Sequence, residues 1–187
     1  MDLKKEVNMT EKEFFKKIAN GKDDFLESFL GILKKNKIKF CVIGGLAVNA
    51  YAEPVVSLDL DVVLVSEKLD TLLPGLKKKF KVQIFDNSIN LSEKDSALRI
   101  QIQTDERYQD FLKRARVKMV LGYKIPVAGI EDVLQGKMWA AMDETRRPSK
   151  RQKDLADIMR LIETSKNLKA LLPDELKAQL RLNYRPL

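Results

Sequence analysis

Lys39-Phe40-Cys41-Val42-Ile43 is a short, β-rich run closed by Gly44-Gly45. After a gap of thirteen residues comes Asp59-Leu60-Asp61, inside a second strand that reads from Ser57 to Val65. Leu46 to Ala52, in the gap, favours a helix, so the unit reads strand, helix, strand. Side chains alternate along a strand, so Asp59 and Asp61 share one face, about 7 Å apart. Two carboxylates on one face of an apolar strand repel each other unless something positive lies between them. A hard divalent cation such as magnesium does this, taking one or two carboxylates together with phosphate oxygens. The glycines let backbone amides approach an anion closely, and the helix after them offers free N–H donors. Taken singly, Gly-Gly is a tight turn and Asp-x-Asp a solvated edge. In this order they describe a nucleotide site.

Working outward, the residues before this unit read as a helix. Thr10 and Glu13 form a capping box, and Phe14, Phe15, Ile18, Phe25, Phe29, Ile32 and Leu33 recur at helical spacing. After it, Ser66 caps a helix through Leu69, Leu72, Leu73 and Leu76, with Pro74 expected to kink or shorten it. Lys81 to Phe85 is a third strand and Ala97 to Gln103 a fourth. Asp105 to Ala115 reads as helical, and Arg116 to Ala128 as a hairpin around Gly122-Tyr123. From Gly129 the pattern is helical: Gly129 to Asp143, Ser149 to Thr164, and Pro173 to Leu182. The expected fold is α+β, a small mixed sheet flanked by helices with a helical C-terminal part. Its three parts are an N-terminal helical segment (1–36), an α/β core (37–128) and the helical part (129–187).

Composition narrows the chemistry. The 187 residues carry 35 Lys and Arg against 27 Asp and Glu, a net charge of +8, and 44% are hydrophobic, enough for a core. There is no histidine. That removes Ser-His-Asp and Cys-His nucleophiles, histidine-ligated zinc and imidazole acid–base catalysis. Chemistry must run on carboxylates, Lys, Arg, hydroxyls or an oxygen-ligated metal. No apolar run nears the ~18 residues of a membrane span, and the N-terminus lacks the apolar core of a secretory signal. The single cysteine, Cys41, forms no internal disulfide and suits a reducing cytoplasm. It reads as inert filler in an apolar strand, and Trp139, among Val133, Leu134 and Met138, as core.

The unit Ile43-Gly44-Gly45, thirteen residues, Asp59-Leu60-Asp61-Val62 resembles the signature of the DNA polymerase beta-like nucleotidyltransferase superfamily. The nearest branch is the minimal nucleotidyltransferases and the abortive-infection toxins. Lys137 and the run Lys153-Asp154-Leu155-Ala156-Asp157 extend the resemblance. It implies that Gly44 and Gly45 hold nucleotide phosphates and that Asp59 and Asp61 bind Mg2+ (or Mn2+). It implies that Lys137 neutralises triphosphate charge and that Ser57 stands where the branch commonly has Thr. The implied substrate is an NTP, with ATP the first candidate, and the acceptor is a hydroxyl of a small molecule, a protein or an RNA end. The superfamily usually has a third acid on a neighbouring strand. Here that position falls on Gln101 or, in a shifted register, Gln103, with Asp105 reached only if the strand extends. The alternative is therefore a catalytically weakened nucleotide-binding or toxin–antitoxin-type interaction module.

Two further readings stay open. Lys137, near the apolar side of its helix, either points into the cleft or snorkels to solvent. Arg146, Arg147, Lys150, Arg151 and Lys153 either contact a nucleic-acid backbone or form a solvated face paired with nearby acids. Lys77-Lys78-Lys79 suits a helix C-terminus.

Overall fold

A computed structural model describes residues 12–13 and 25–181 of the chain. Thr10, the capping box it anchors, Phe14, Phe15, Ile18 and Leu182 lie outside the described residues. Seven strands form one sheet: β1 (Phe40–Ile43), β2 (Asp59–Leu64), β3 (Lys81–Phe85), β4 (Ser88–Ser92), β5 (Arg99–Gln103), β6 (Arg116–Val120) and β7 (Tyr123–Val127). Their order is β3-β4-β5-β2-β1-β7-β6. β2 runs antiparallel to β1 and parallel to β5, so the sheet is mixed. The helices are α1 (Phe25–Lys35), α2 (Gly44–Asn49), α3 (Leu69–Lys79), α4 (Phe111–Arg114), α5 (Ile130–Met142), α6 (Pro148–Thr164) and α7 (Asp174–Gln179). The fold is α+β, as the pattern of apolar runs implied.

Period two organises the sheet. Leu60, Ile100 and Leu91 stand in register across β2, β5 and β4, as do Val62, Ile102 and Ile89, and all six are buried. They join one core with Phe25, Leu26, Phe29 and Leu33 of α1 and Leu72 and Leu76 of α3. The alternate residues face the other way. Asp61, Gln101 and Asn90 form a row there, next to the row Asp59, Arg99 and Ser92. The C-terminal helices belong to the same core through Leu134, Leu155, Ile158 and Leu161.

Several boundaries differ from the sequence reading. Ser88–Ser92 is a strand that the polar Ser-Ile-Asn-Leu-Ser pattern disguises, because its only apolar residues are the two that face the core. Asp105 to Ala115 is not one helix. It is a 3₁₀ turn at Glu106–Tyr108 and then the short α4, since Asp105 caps the turn by accepting the Arg107 N–H. Pro74 neither ends nor shortens α3, which runs on to Lys79 with Lys77, Lys78 and Lys79 in its last turn. The β6–β7 hairpin turns at Leu121 and Gly122, both at positive φ. Among the described residues no helix is long and apolar enough to cross a membrane.

Cys41 is fully buried in β1, and burial pushes its thiol up to about 12. Thiolate is the reactive species. A disulfide reagent at pH 8 is therefore expected to leave the folded protein unmodified and to titrate one thiol after denaturation; rapid reaction of the native protein would contradict this packing.

Candidate active site

β1 ends in Ile43, and Gly44 then turns the chain at φ +67° into α2. An L-residue side chain is disfavoured at that φ. A second constraint is steric. A Cβ on Gly44 would lie 2.1 Å from Asp61 Oδ2 and 2.9 Å from Asp61 Cγ. The Asp61 carboxylate therefore packs directly against the bend. This follows from the β1–β2 register, which sets Ile43 opposite Asp61. The two halves of the signature, thirteen residues apart, are thus in contact.

Asp59 and Asp61 share the polar face of β2 but have different surroundings. Asp59 is held by Arg99, Nε 2.9 Å from Oδ1, and more loosely by Lys150, Nζ 3.8 Å from Oδ2. Asp61 has no hydrogen-bond or ion-pair partner among the described residues. Burial pushes its carboxyl up to about 6. Lys137, Lys153 and Lys150 oppose that shift, and the Asp59 charge reinforces it.

A cleft of about 260 Å³ opens over the pair. Gly45 and Ser57 line it beside the carboxylates, Asn90, Arg99 and Gln101 form the sheet side, and Arg146, Lys150 and Lys153 face them from α6 and the turn before it. A Cβ on Gly45 would meet Ser57 Oγ at 3.8 Å and Lys153 Nζ at 3.7 Å, ordinary contact distances, so Gly45 stands beside both groups at the cleft wall. A second cavity, about 120 Å³, shares Asp61, Gln101, Lys137, Arg146 and Asp154 and extends to Gln103, Tyr108 and Phe111. Tyr108, Phe111 and half-buried Trp139 pack together at centroid distances of 5.2–5.8 Å.

Lys137 lines the cleft, yet its charge is already engaged. Nζ lies 2.9 Å from Asp154 Oδ1 and 2.6 Å from Asp157 Oδ2, with all three residues buried. Burial alone would lower its pKa; the Asp157 and Asp154 carboxylates outweigh this and hold it above the ordinary value. It does not snorkel to solvent. Arg146 Nε binds the other oxygen of Asp154, and Arg160 Nη1 binds Asp157 at 2.7 Å. The structure divides the basic cluster. Arg146, Lys150 and Lys153 turn to the cleft. Arg151 donates to the Ala141 carbonyl at 2.7 Å, and Arg147 is an exposed residue at the start of α6.

Gln101 stands opposite Asp61 in the β2–β5 register, so the neighbouring-strand position is neutral. Gln103 turns its Oε1 to the Thr104 and Asp105 N–H groups. Asp105 lies beyond β5 and forks to Arg107. Among the described residues no group of three or more carboxylates is gathered as a metal cage.

The sequence reading missed Arg99 and Asn90 and left Lys150 and Lys153 undecided. A signal existed. Positions 150, 153, 154 and 157 follow the i, i+3, i+4, i+7 spacing of one helix face. That polar stripe faces inward to the cleft and to Lys137.

No family model matches the chain, and no curated protein matches it. Solved structures do. ANT(2'')-Ia in complex with adenylyl-2''-tobramycin aligns at TM-score 0.58 and 13% identity, covering 86% of this chain and 97% of that one. The chain has a nucleotidyltransferase-like fold. The lincomycin-bound lincosamide antibiotic adenylyltransferase LnuA aligns at 0.51 and 12% identity over 73% and 95% of the two chains. An antigenic nucleotidyltransferase-like protein from Paracoccidioides brasiliensis aligns at 0.55 and 16% identity over 83% and 87%. At these identities the likeness is one of fold.

Two substitutions separate positioning from binding. Lys137→Met removes the buried cation shared by Asp154 and Asp157, leaving each carboxylate with one arginine, and is expected to cost about 3 kcal/mol of stability in urea unfolding. Lys150→Met, at a half-exposed position, is expected to change stability by under about 0.5 kcal/mol. Equal stability of the two variants would show that Lys137 is not the internal counter-ion.

Proposed function

We propose that the chain is a metal-dependent nucleotidyltransferase that moves a nucleoside monophosphate from an NTP to a hydroxyl acceptor. The observation that carries this reading is the contact of Asp61 with the Gly44 bend, beneath a cleft whose opposite wall is cationic. Carboxylates on one side and lysines on the other suit a polyphosphate and its counter-ion, and little else of that size. The adenylyltransferase and the adenylylated tobramycin among the structural neighbours support ATP as the nucleotide. The lone buried cysteine suits a cytoplasmic setting.

The donor set fits a hard divalent cation, Mg2+ or Mn2+. Asp61 is an unpartnered, half-buried carboxylate facing the cleft, and Asp59 stands two residues away on the same face. These two residues would hold the ion. When bound, it withdraws charge from the phosphate oxygens and fixes their position. The chain itself supplies the rest. The main chain of the Gly44–Gly45 bend, with the Ser57 hydroxyl, receives phosphate oxygens. Lys150 and Lys153 add charge-assisted donors, and Arg146, oriented by Asp154, adds another. In the transfer, the acceptor oxygen bonds to the α-phosphorus. The bond from that phosphorus to the bridging oxygen breaks, pyrophosphate leaves, and the hydroxyl proton passes to water in the open cleft.

The strand beside the aspartates carries Gln101 and Asn90 faces it from the next, with no free acid there among the described residues. It suits an acceptor that is not a polycation, leaving small molecules, proteins and RNA ends with accessible hydroxyls. One observation favours a second reading, nucleotide binding without turnover: Gln101, opposite Asp61, contributes no charge to activate a hydroxyl.

Incubation with ATP labelled at the α-phosphate, Mg2+ or Mn2+ and cell extract is expected to give a labelled product that Asp59→Asn and Asp61→Asn abolish. ATP binding with no product would select the second reading; no ATP binding would end both. Gly44→Ala is expected to weaken ATP binding at least about tenfold, roughly 1.4 kcal/mol, by displacing Asp61. Lys153→Met is expected to weaken it by a similar factor with no loss of thermal stability. Unchanged affinity in both variants would place the phosphates elsewhere.

A further inference from the structure

We infer that Arg99 stands in for a second divalent ion, so that this site takes its triphosphate with one metal ion. The inference rests on the nucleotide-site reading above and adds the charge arrangement peculiar to this chain.

The register sets Arg99 opposite Asp59 and Gln101 opposite Asp61, all on the cleft face. Two-ion centres place their ions about 3.5–4 Å apart and need anionic ligands to hold both. Here two carboxylates are available and the third ladder position is a neutral amide. One of the two carboxylates is also engaged: Arg99 Nε lies 2.9 Å from Asp59 Oδ1, with Lys150 3.8 Å from Oδ2 on the opposite side. Asp61 alone is left without a cation. The loss of a negative group at position 101 and the presence of a positive one at 99 push the same way. Each lowers the demand for a further divalent charge.

Strand order gives Arg99 its side. β2 lies between β1 and β5, so the Gly44–Gly45 bend flanks the aspartates from one direction and Arg99 from the other. Phosphates seated at the bend would have the guanidinium across the carboxylate pair. The side chain is 69% exposed, so it is free to exchange Asp59 for a phosphate oxygen. A guanidinium is permanently charged and offers a planar fork of donors suited to either anion. Unlike a metal ion, it does not make a bound hydroxyl more acidic. Arg99 would therefore orient and neutralise without activating the nucleophile.

The test counts ions. The protein, saturated with α,β-methylene-ATP, is titrated with Mn2+, and bound ion is read from the loss of the free-ion paramagnetic resonance signal. The unmodified chain is expected to bind one Mn2+ per molecule and Arg99→Lys to keep that count. The double variant Arg99→Ala, Gln101→Asp is expected to bind two. Two ions on the unmodified chain would overturn the inference and leave the nucleotide-site reading intact. A double variant that still binds one would also overturn it. Binding of neither ion nor analogue by the unmodified chain would remove both.

Discussion

Asp61 lies against the main chain of Gly44 because nothing projects from that α-carbon. The rest of the site depends on this contact. It requires a glycine at φ +67°, a β1–β2 register that brings Ile43 opposite Asp61, and a short α2 that carries the chain away from the sheet. A carboxylate placed this way has its back to protein and its open side to the cleft. The cost of ionising it there falls when a cation approaches, so the bend and the carboxylate together create a demand for positive charge. A one-residue slip between β1 and β2 would remove it, because alternate residues face opposite sides.

The fold was legible where hydrophobic period was strong. β1, β2, β5 and the β6–β7 hairpin follow from their apolar runs, and α5 and α6 from helical spacing. β4 was not legible. Ile89 and Leu91 are two apolar residues among serines and an asparagine, a pattern shared with many loops. Only pairing with β3 and β5 makes it a strand. The 105–115 segment failed for the opposite reason. Phe111 is buried and the composition suits a helix, but Asp105 and Gln103 spend their side chains on local N–H groups and break it into turns.

The site was legible as a pair of motifs and illegible as a charge distribution. Gly45, Ser57, Asp59, Asp61 and Lys137 line one cleft, and Gly44 lines the adjoining cavity with Asp61 and Lys137. What the chain order could not show is which positive charges are already occupied. Lys137 looks like a phosphate ligand in the sequence and proves to be bound between Asp154 and Asp157. Arg99 looks like one charge on an ordinary strand and proves to touch Asp59. A facing helix decides the first case and a cross-strand neighbour the second, and neither partner is close in sequence.

The buried charges explain how the helical part acts on the sheet. Arg146, Asp154, Lys137, Asp157 and Arg160 alternate in sign through the contact of α5 with α6. Arg160 continues the chain by donating to Asn49 Oδ1 at 2.7 Å and to the Glu53 carbonyl. Asn49 in turn brackets Val55, accepting its N–H at 3.0 Å and donating to its carbonyl at 2.6 Å. The loop that delivers Ser57 and Asp59 is therefore fixed from α6 as well as from its own ends. A buried ionic chain of this kind contributes little net stability over well-packed apolar residues. It does exclude alternative packings, because any shift of α6 would strand a charge. The same helix that presents Lys150 and Lys153 to the cleft thus also holds the loop leading into the aspartate strand.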